Sequence, residues 1–138
     1  MAVKQWTLTD VSKGVYVDEI KLTHDSVGGT AKGYEITKRT LRGGLCDGVD
    51  VIHIDNGHLE IDVLPTRGMG LWKACFDGQD IGWQSPVRGP VLPQFVPLMD
   101  PGGLGWLEGF DELLVRCGLE SNGAPEFGGD GRLIYPLH

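Results

Sequence analysis

The side chain whose neighbours best suit it to chemistry is Arg67, in the turn Pro65-Thr66-Arg67-Gly68-Met69-Gly70. A guanidinium holds five donors in a rigid planar fork. The flanking glycines let a ligand come close to the backbone. Together they suit a sugar hydroxyl, a ring oxygen or a carboxylate. The same arginine could instead be structural, bonding loop carbonyls, and both readings stay open. Trp83 and Trp106 can stack on the C–H face of a sugar or pack into a core. Asn122, in the run CGLESNGAP, can bond a ligand or shape an Asn-Gly turn. His53 is expected to lie opposite Glu60, where an ordinary cross-strand ion pair on a wet sheet face is the simpler reading. His138, read as a chain end, is a frayed surface histidine. Carboxylates are plentiful, but nothing in their order pairs two of them across a site.

These residues need a frame, and the chain predicts one of short strands and turns. The clearest stretch is DVIHIDNGHLEIDVLP, Asp50 to Pro65, where two alternating runs flank Asn56-Gly57. Both turn residues must take φ > 0, which this pair tolerates. A two-residue loop there sets Ile54 opposite Leu59 and Ile52 opposite Ile61 on one face. Val51, His53, Asp55, His58, Glu60 and Asp62 fall on the other. A second hairpin is predicted over Leu71 to Trp83, turning at Asp77-Gly78, with Trp72 opposite Trp83 and Ala74 opposite Ile81. The arginine turn joins the two hairpins, so a rigid frame would present it.

Upstream, residues 1–25 predict one or two strands, Val27-Gly28-Gly29 a turn, and Tyr34 to Leu41 a strand. Ser85 to Pro101 carries five of the chain's eight prolines. It can be neither a helix interior nor a central strand, and reads as an ordered crossing loop. Trp106 to Glu112 predicts a helical turn and Leu113 to Leu119 a buried strand. One helix over Leu107 to Cys117 is the competing reading. Glu120 to Arg132 is turn-rich, and Leu133 to His138 starts another β-like run. No repeat of fixed period is visible.

Composition narrows the function. The 138 residues suffice for one domain. A net charge of −7 disfavours nucleic acid, whose phosphates need a basic surface. The 22 glycines are more than twice the usual share of about 7%, and they sit among aromatic and β-branched residues, as in a turn-rich β protein. Cys46, Cys75 and Cys117 are few, odd in number and widely spaced. They fit reduced thiols in a cytoplasmic protein and lack metal-ligand spacing. MAVKQWTLTD has no apolar core of a signal peptide, and no run reaches the length of a membrane span. GGLGWLEG lacks the order of a dinucleotide loop. There is no P-loop, HExxH or GxSxG, so no cofactor and no metal are expected.

Three segments in combination resemble the N-terminal half of a bacterial aldose-1-epimerase-like family with the galactose-mutarotase fold: LEIDVLPTRGMGLWKACFDGQDIGWQSP, GGLGWLEGFDELLVRCGLESNGAP and LIYPLH. The resemblance runs from about Gly44 to His138, and more loosely over the first forty residues. It implies an all-β fold, an antiparallel β-sandwich (supersandwich), of which residues 1–138 would be the N-terminal portion of one domain. It implies a sugar or sugar derivative as ligand, with Arg67 near it and His138 matching the histidine of a Leu-His-Gly-Arg motif. The implied chemistry is ring opening: a carboxylate takes the anomeric proton while an imidazolium protonates the ring oxygen, before closure on the other face. The Gly-Arg after His138, the later strands and the carboxylate base are missing from these residues. A second half, from the same protein or another polypeptide, is therefore expected. The alternative is a non-catalytic carbohydrate-binding or assembly subunit that completes a sandwich with another chain.

Overall fold

Alternating apolar runs broken by glycine turns form short strands here. The computed structural model describes residues 4–100, 102–114 and 123–137. The strands are β1 (Thr9–Asp10), β2 (Val15–Tyr16), β3 (Ile20–Thr23), β4 (Glu35–Thr40) and β5 (Asp50–Asp55). They continue with β6 (Leu59–Leu64), β7 (Gly70–Phe76), β8 (Gln79–Ile81), β9 (Glu126–Phe127) and β10 (Leu133–Tyr135). Strands β3 to β8 form one antiparallel meander in sequence order, while β1–β2 and β9–β10 are separate ribbons. Among the described residues the one α-helical element is the four-residue turn His24–Val27. The all-β antiparallel expectation holds. Among the described residues, no helix is long and apolar enough to cross a membrane.

The turn at Asn56-Gly57 forms where predicted, but only Gly57, at φ 88°, takes the positive φ expected of both residues, and the loop is longer. Asn56 Oδ1 accepts from the N–H groups of His58 (3.0 Å) and Leu59 (2.7 Å), and the Asn56 N–H donates to the Leu59 carbonyl (3.2 Å). This side-chain turn makes Asp55–Glu60 the last pair, so Ile54 meets Ile61, Ile52 meets Val63, and His53 meets Asp62 rather than Glu60. The slip is two residues, so every side chain keeps its predicted face. The second hairpin closes at Asp77-Gly78 and pairs Ala74 with Ile81, as expected. The expected pairing of Trp72 with Trp83 does not form. Strand β8 stops at Ile81, Gly82 turns away at φ 130°, and a register shift in β7 leaves Trp72 as an extra residue beside Val63.

The register gives the sheet two unlike faces. One carries an apolar row across all six strands: Leu22, Ile36, Ile54, Ile61, Ala74 and Ile81. Ile54 and Ile81 in that row remain 38% and 47% exposed. Lys38 and Asp50, on the same face, form a buried ion pair (2.9 Å), and Lys38 Nζ also donates to the Val17 carbonyl. That bond ties the N-terminal segment across β4.

The other face is polar at one end, where His53, Asp62 and Lys73 lie in register. At its other end Val49, Val51 and Leu64 form the core, packed by Leu41, Trp72 and Leu92. The proline-rich segment covers this core as the predicted ordered crossing, with a 3-10 turn at Pro93–Phe95 and the Leu92 N–H bonded to the Leu45 carbonyl (2.8 Å). A second 3-10 turn, Gly105–Glu108, carries Trp106. Residues 109–114 are not helical, which overturns the long-helix reading of this region as far as it is described. The strand expected over Leu113 to Leu119 lies, from residue 115 onward, outside the described residues. Cys46 and Cys75 are free thiols, and Cys117 lies outside the described residues.

Candidate functional site

Strand β6 ends at the fully buried Leu64, and Pro65 opens a 3-10 turn through Arg67. Gly68 and Met69 follow, both at φ 63°, and turn the chain back into β7 at Gly70. A methionine in that left-handed region is uncommon and costs of order 1 kcal/mol. The turn aims Arg67 at the segment that crosses the core. Its Nε donates to Glu112 Oε1 (2.5 Å) and its Nη1 to the Val91 carbonyl (2.6 Å). The two side chains are only 10% and 4% exposed. Glu112 Oε2 accepts from the Asp111 N–H (3.1 Å). Both carboxylate oxygens of Glu112 thus carry hydrogen bonds within the chain, so Glu112 anchors the guanidinium. Arg67 bonds a loop carbonyl, as the structural reading expects, and it also lines a cleft of about 240 Å³ with Thr66, Pro93, Val96, Leu98 and Trp106.

The strip Phe110–Leu113 is stitched to the second hairpin and the residues that follow it by four bonds. Trp83 Nε1 donates to the Glu112 carbonyl (3.1 Å), Trp72 Nε1 to Asp111 Oδ2 (2.9 Å), Ser85 Oγ to the Phe110 carbonyl (2.8 Å) and the Leu113 N–H to the Leu71 carbonyl (2.8 Å). Phe110 then stands between two tryptophans, with ring centroids 4.5 Å from Trp106 and 5.5 Å from Trp83, both stacked. Close approach depends on glycine here. A Cβ on Gly105 would lie 1.6 Å from the Pro97 carbonyl oxygen, and one on Gly109 2.5 Å from Val96 Cγ2. These contacts fix the turn that presents Trp106. The Leu137 N–H bonds the Gly103 carbonyl (2.7 Å), which brings the last described residues beside the same turn.

Of the residues singled out by sequence, Arg67 and Trp106 share one cleft. Trp83 lines a different, larger cleft of about 690 Å³ on the far side of Phe110. Asn122 and His138 lie outside the described residues. His53 is on the sheet's polar face, its Nδ1 2.8 Å from Asp62 Oδ1 and its Nε2 3.9 Å from Glu60 Oε2. No group of His, Cys, Asp and Glu among the described residues is arranged to hold a metal ion. Glu112 was missed by sequence reasoning. Its one signal is an Asp-Glu pair set between Phe110 and Leu113-Leu114, where a carboxylate that is buried needs a cation.

A comparison with known proteins agrees with this architecture. The chain is 36% identical to a crystal structure described as a "putative aldose 1-epimerase" from Klebsiella pneumoniae subsp. pneumoniae MGH 78578, with a TM-score of 0.86. The likeness covers 95% of this chain and 34% of that one, so the chain spans about a third of the solved protein and represents part of an aldose-1-epimerase-like fold. No curated protein matches. Residues 46–138 match the family described as a domain of unknown function, DUF4432, and the chain belongs to that family.

Proposed function

We propose that residues 1–138 are the N-terminal portion of a single aldose-1-epimerase-like sandwich domain, and that their Arg67 cleft takes part in binding an aldose or modified sugar. The observation that carries this reading is the meeting of Arg67 and Trp106 in one cleft. A fixed guanidinium and an aromatic face are what a pyranose needs, one for its oxygens and one for its C–H face. The fold likeness adds support. In this reading His138 is the general acid for ring opening, Asn122 is a further contact, and the carboxylate base comes from the remainder of the fold. Reduced, widely spaced cysteines support a cytoplasmic setting.

The test is saturation-transfer NMR of the chain with D-glucose and D-galactose, with anomer exchange measured alongside. Transfer to the sugar protons is expected, and Trp106→Ala should weaken it about tenfold, the upper range for one aromatic contact. Arg67→Lys keeps the charge and loses the fork, and should weaken it as well. No transfer to either aldose, or transfer indifferent to both substitutions, would sink the binding claim.

A second reading, an assembly subunit that completes a sandwich with another chain, is favoured by the apolar sheet face. Ile54, Ile81 and Phe76 are 38%, 47% and 51% exposed, and β8 has a neighbour on one side only among the described residues. The fitting occupant is the other two-thirds of the fold, which the solved relative carries in its own chain. Light scattering with intact-mass measurement separates the cases. The 138-residue chain alone should self-associate, and Ile81→Lys should shift it toward monomer. A wild-type chain that stays monomeric at high concentration would refute the need for a covering layer.

A further inference from the structure

The Trp83 cleft does not end at Trp83. It shares Lys73, Ala74 and Asp80 with a smaller hollow of about 140 Å³ that reaches His53 and Glu60. Together they form one groove along the polar face of β5 to β8, on the other side of Phe110 from the Arg67 cleft. Four strands at about 4.8 Å spacing make it roughly 14 Å across, longer than a single pyranose ring.

Trp83 gives the groove a rigid platform. Its Nε1 is bonded to the Glu112 carbonyl and its ring is stacked on Phe110, yet half of the residue (50%) is exposed. These contacts hold the ring in place, so little ordering cost remains for a partner that stacks on it. Gly82 makes this possible, since a Cβ there would lie 2.6 Å from Leu113 Cδ1.

The groove is lined by groups of both signs, including Asp111, whose Oδ2 accepts from Trp72 Nε1. Arg88 and Lys73 are donors, Asp80 and Glu60 are acceptors, and Gln84 is both. Lys73 lies over the Trp72 ring at 4.4 Å. Asp80, Gln84 and Arg88 have no side-chain hydrogen bond or ion pair among the described residues. Asp62 holds the Nδ1 side of His53, which leaves Nε2 on the groove side near Glu60. An anion would meet Asp80, Glu60 and Asp62, and a cation would meet Lys73 and Arg88. A neutral chain of hydroxyls with apolar ring faces meets no opposing charge and finds both donors and acceptors.

We propose that this groove is a second carbohydrate site, which holds a neutral oligosaccharide of two or more sugar units, one of them stacked on Trp83. It is independent of the epimerase reading, because it uses none of the residues of the Arg67 cleft.

The experiment is a printed array of neutral and acidic oligosaccharides probed with the 138-residue chain and its variants. Wild type should retain neutral oligosaccharides in preference to acidic ones. Trp83→Ala should lower affinity about tenfold or more, and Trp83→Phe should restore part of it. Asp80→Asn and Arg88→Ala change exposed residues whose side chains have no bonded partner among the described residues, so they should fold as wild type and each weaken binding several-fold, about the worth of one hydrogen bond. Failure of wild type to retain any neutral oligosaccharide would overturn the proposal. So would preference for acidic glycans, or retention undiminished in Asp80→Asn, Arg88→Ala and a folded Trp83→Ala. Aldose binding in the Arg67 cleft is read separately by saturation transfer, so the two claims can fail independently.

Discussion

Replacing Arg67 by methionine should destabilise the chain by about 3–5 kcal/mol, the usual cost of removing one partner from a buried ion pair. Glu112 is 4% exposed and would lose the Arg67 cation that balances its charge, while keeping the bond from the Asp111 N–H. The Val91 carbonyl would also lose the Nη1 donor that pins the crossing segment over the core. The measurement is a urea unfolding midpoint for wild type, Arg67→Met, Glu112→Leu and the double variant. The double variant should recover most of the loss, because neither ion stays buried without its counter-ion and an apolar pair can be as stable as the ions. A cost below about 1 kcal/mol for Arg67→Met would mean that the pair contributes no more than an exposed one does. Arg67 would then be read as held for its ligand. This matters for the functional test, since loss of sugar binding in an Arg67 variant carries meaning only if the fold is intact. Arg67→Lys is the better probe there, because it keeps a cation near Glu112 and loses the planar fork.

The parts of the fold that were legible in the sequence are those set by neighbours along the chain. Asn56-Gly57 and Asp77-Gly78 mark their turns because each supplies a glycine at positive φ, joined at the second turn by Asp77, and alternation about them assigned the two faces of the sheet correctly. The loop length at Asn56 was not legible. The Asn56 side chain captures the His58 and Leu59 N–H groups and moves the register by two, a choice that hydrophobic alternation cannot distinguish from the shorter loop. The Trp72–Trp83 pairing failed for a tertiary reason: Leu113 packs against Gly82, where the chain leaves the sheet. The arginine turn was visible as a candidate, but its partner Glu112 lies 45 residues away, and no spacing rule links the two. The assignment of Trp83 and Trp106 to separate clefts depends on Phe110, whose place between them is set by bonds from Ser85 and Trp83 to the strip around it. Local chemistry therefore named the groups, and long-range packing decided which of them share a cleft.

The same reasoning singles out Lys38, which sits among apolar neighbours on β4. Only 3% exposed, it is paired with Asp50 at 2.9 Å and bonded to the Val17 carbonyl at 2.5 Å. Asp50 also accepts from Thr40 Oγ1 at 2.7 Å. Lys38→Met fills a similar volume but strands the Asp50 carboxylate and releases the N-terminal segment, so a loss of about 3–5 kcal/mol is expected. Amide exchange around Val17 should accelerate more than that of β6 and β7. Arg39→Ala, one residue along and exposed, should stay within about 0.5 kcal/mol and serves as the control. The pairing of Lys38→Met with Asp50→Leu discriminates between two roles for the ions. If the double variant is as stable as wild type and keeps its β3–β4–β5 register, the pair adds nothing beyond the hydrophobes that can replace it. If it is stable but populates a slipped register, the pair is there to select one alignment. A two-residue slip keeps apolar side chains on the apolar face, but it would carry Lys38 away from Asp50 and the Val17 carbonyl and leave an ammonium buried alone. The second outcome is the expected one, because alternation on this sheet already proved unable to fix register at the neighbouring β5–β6 turn.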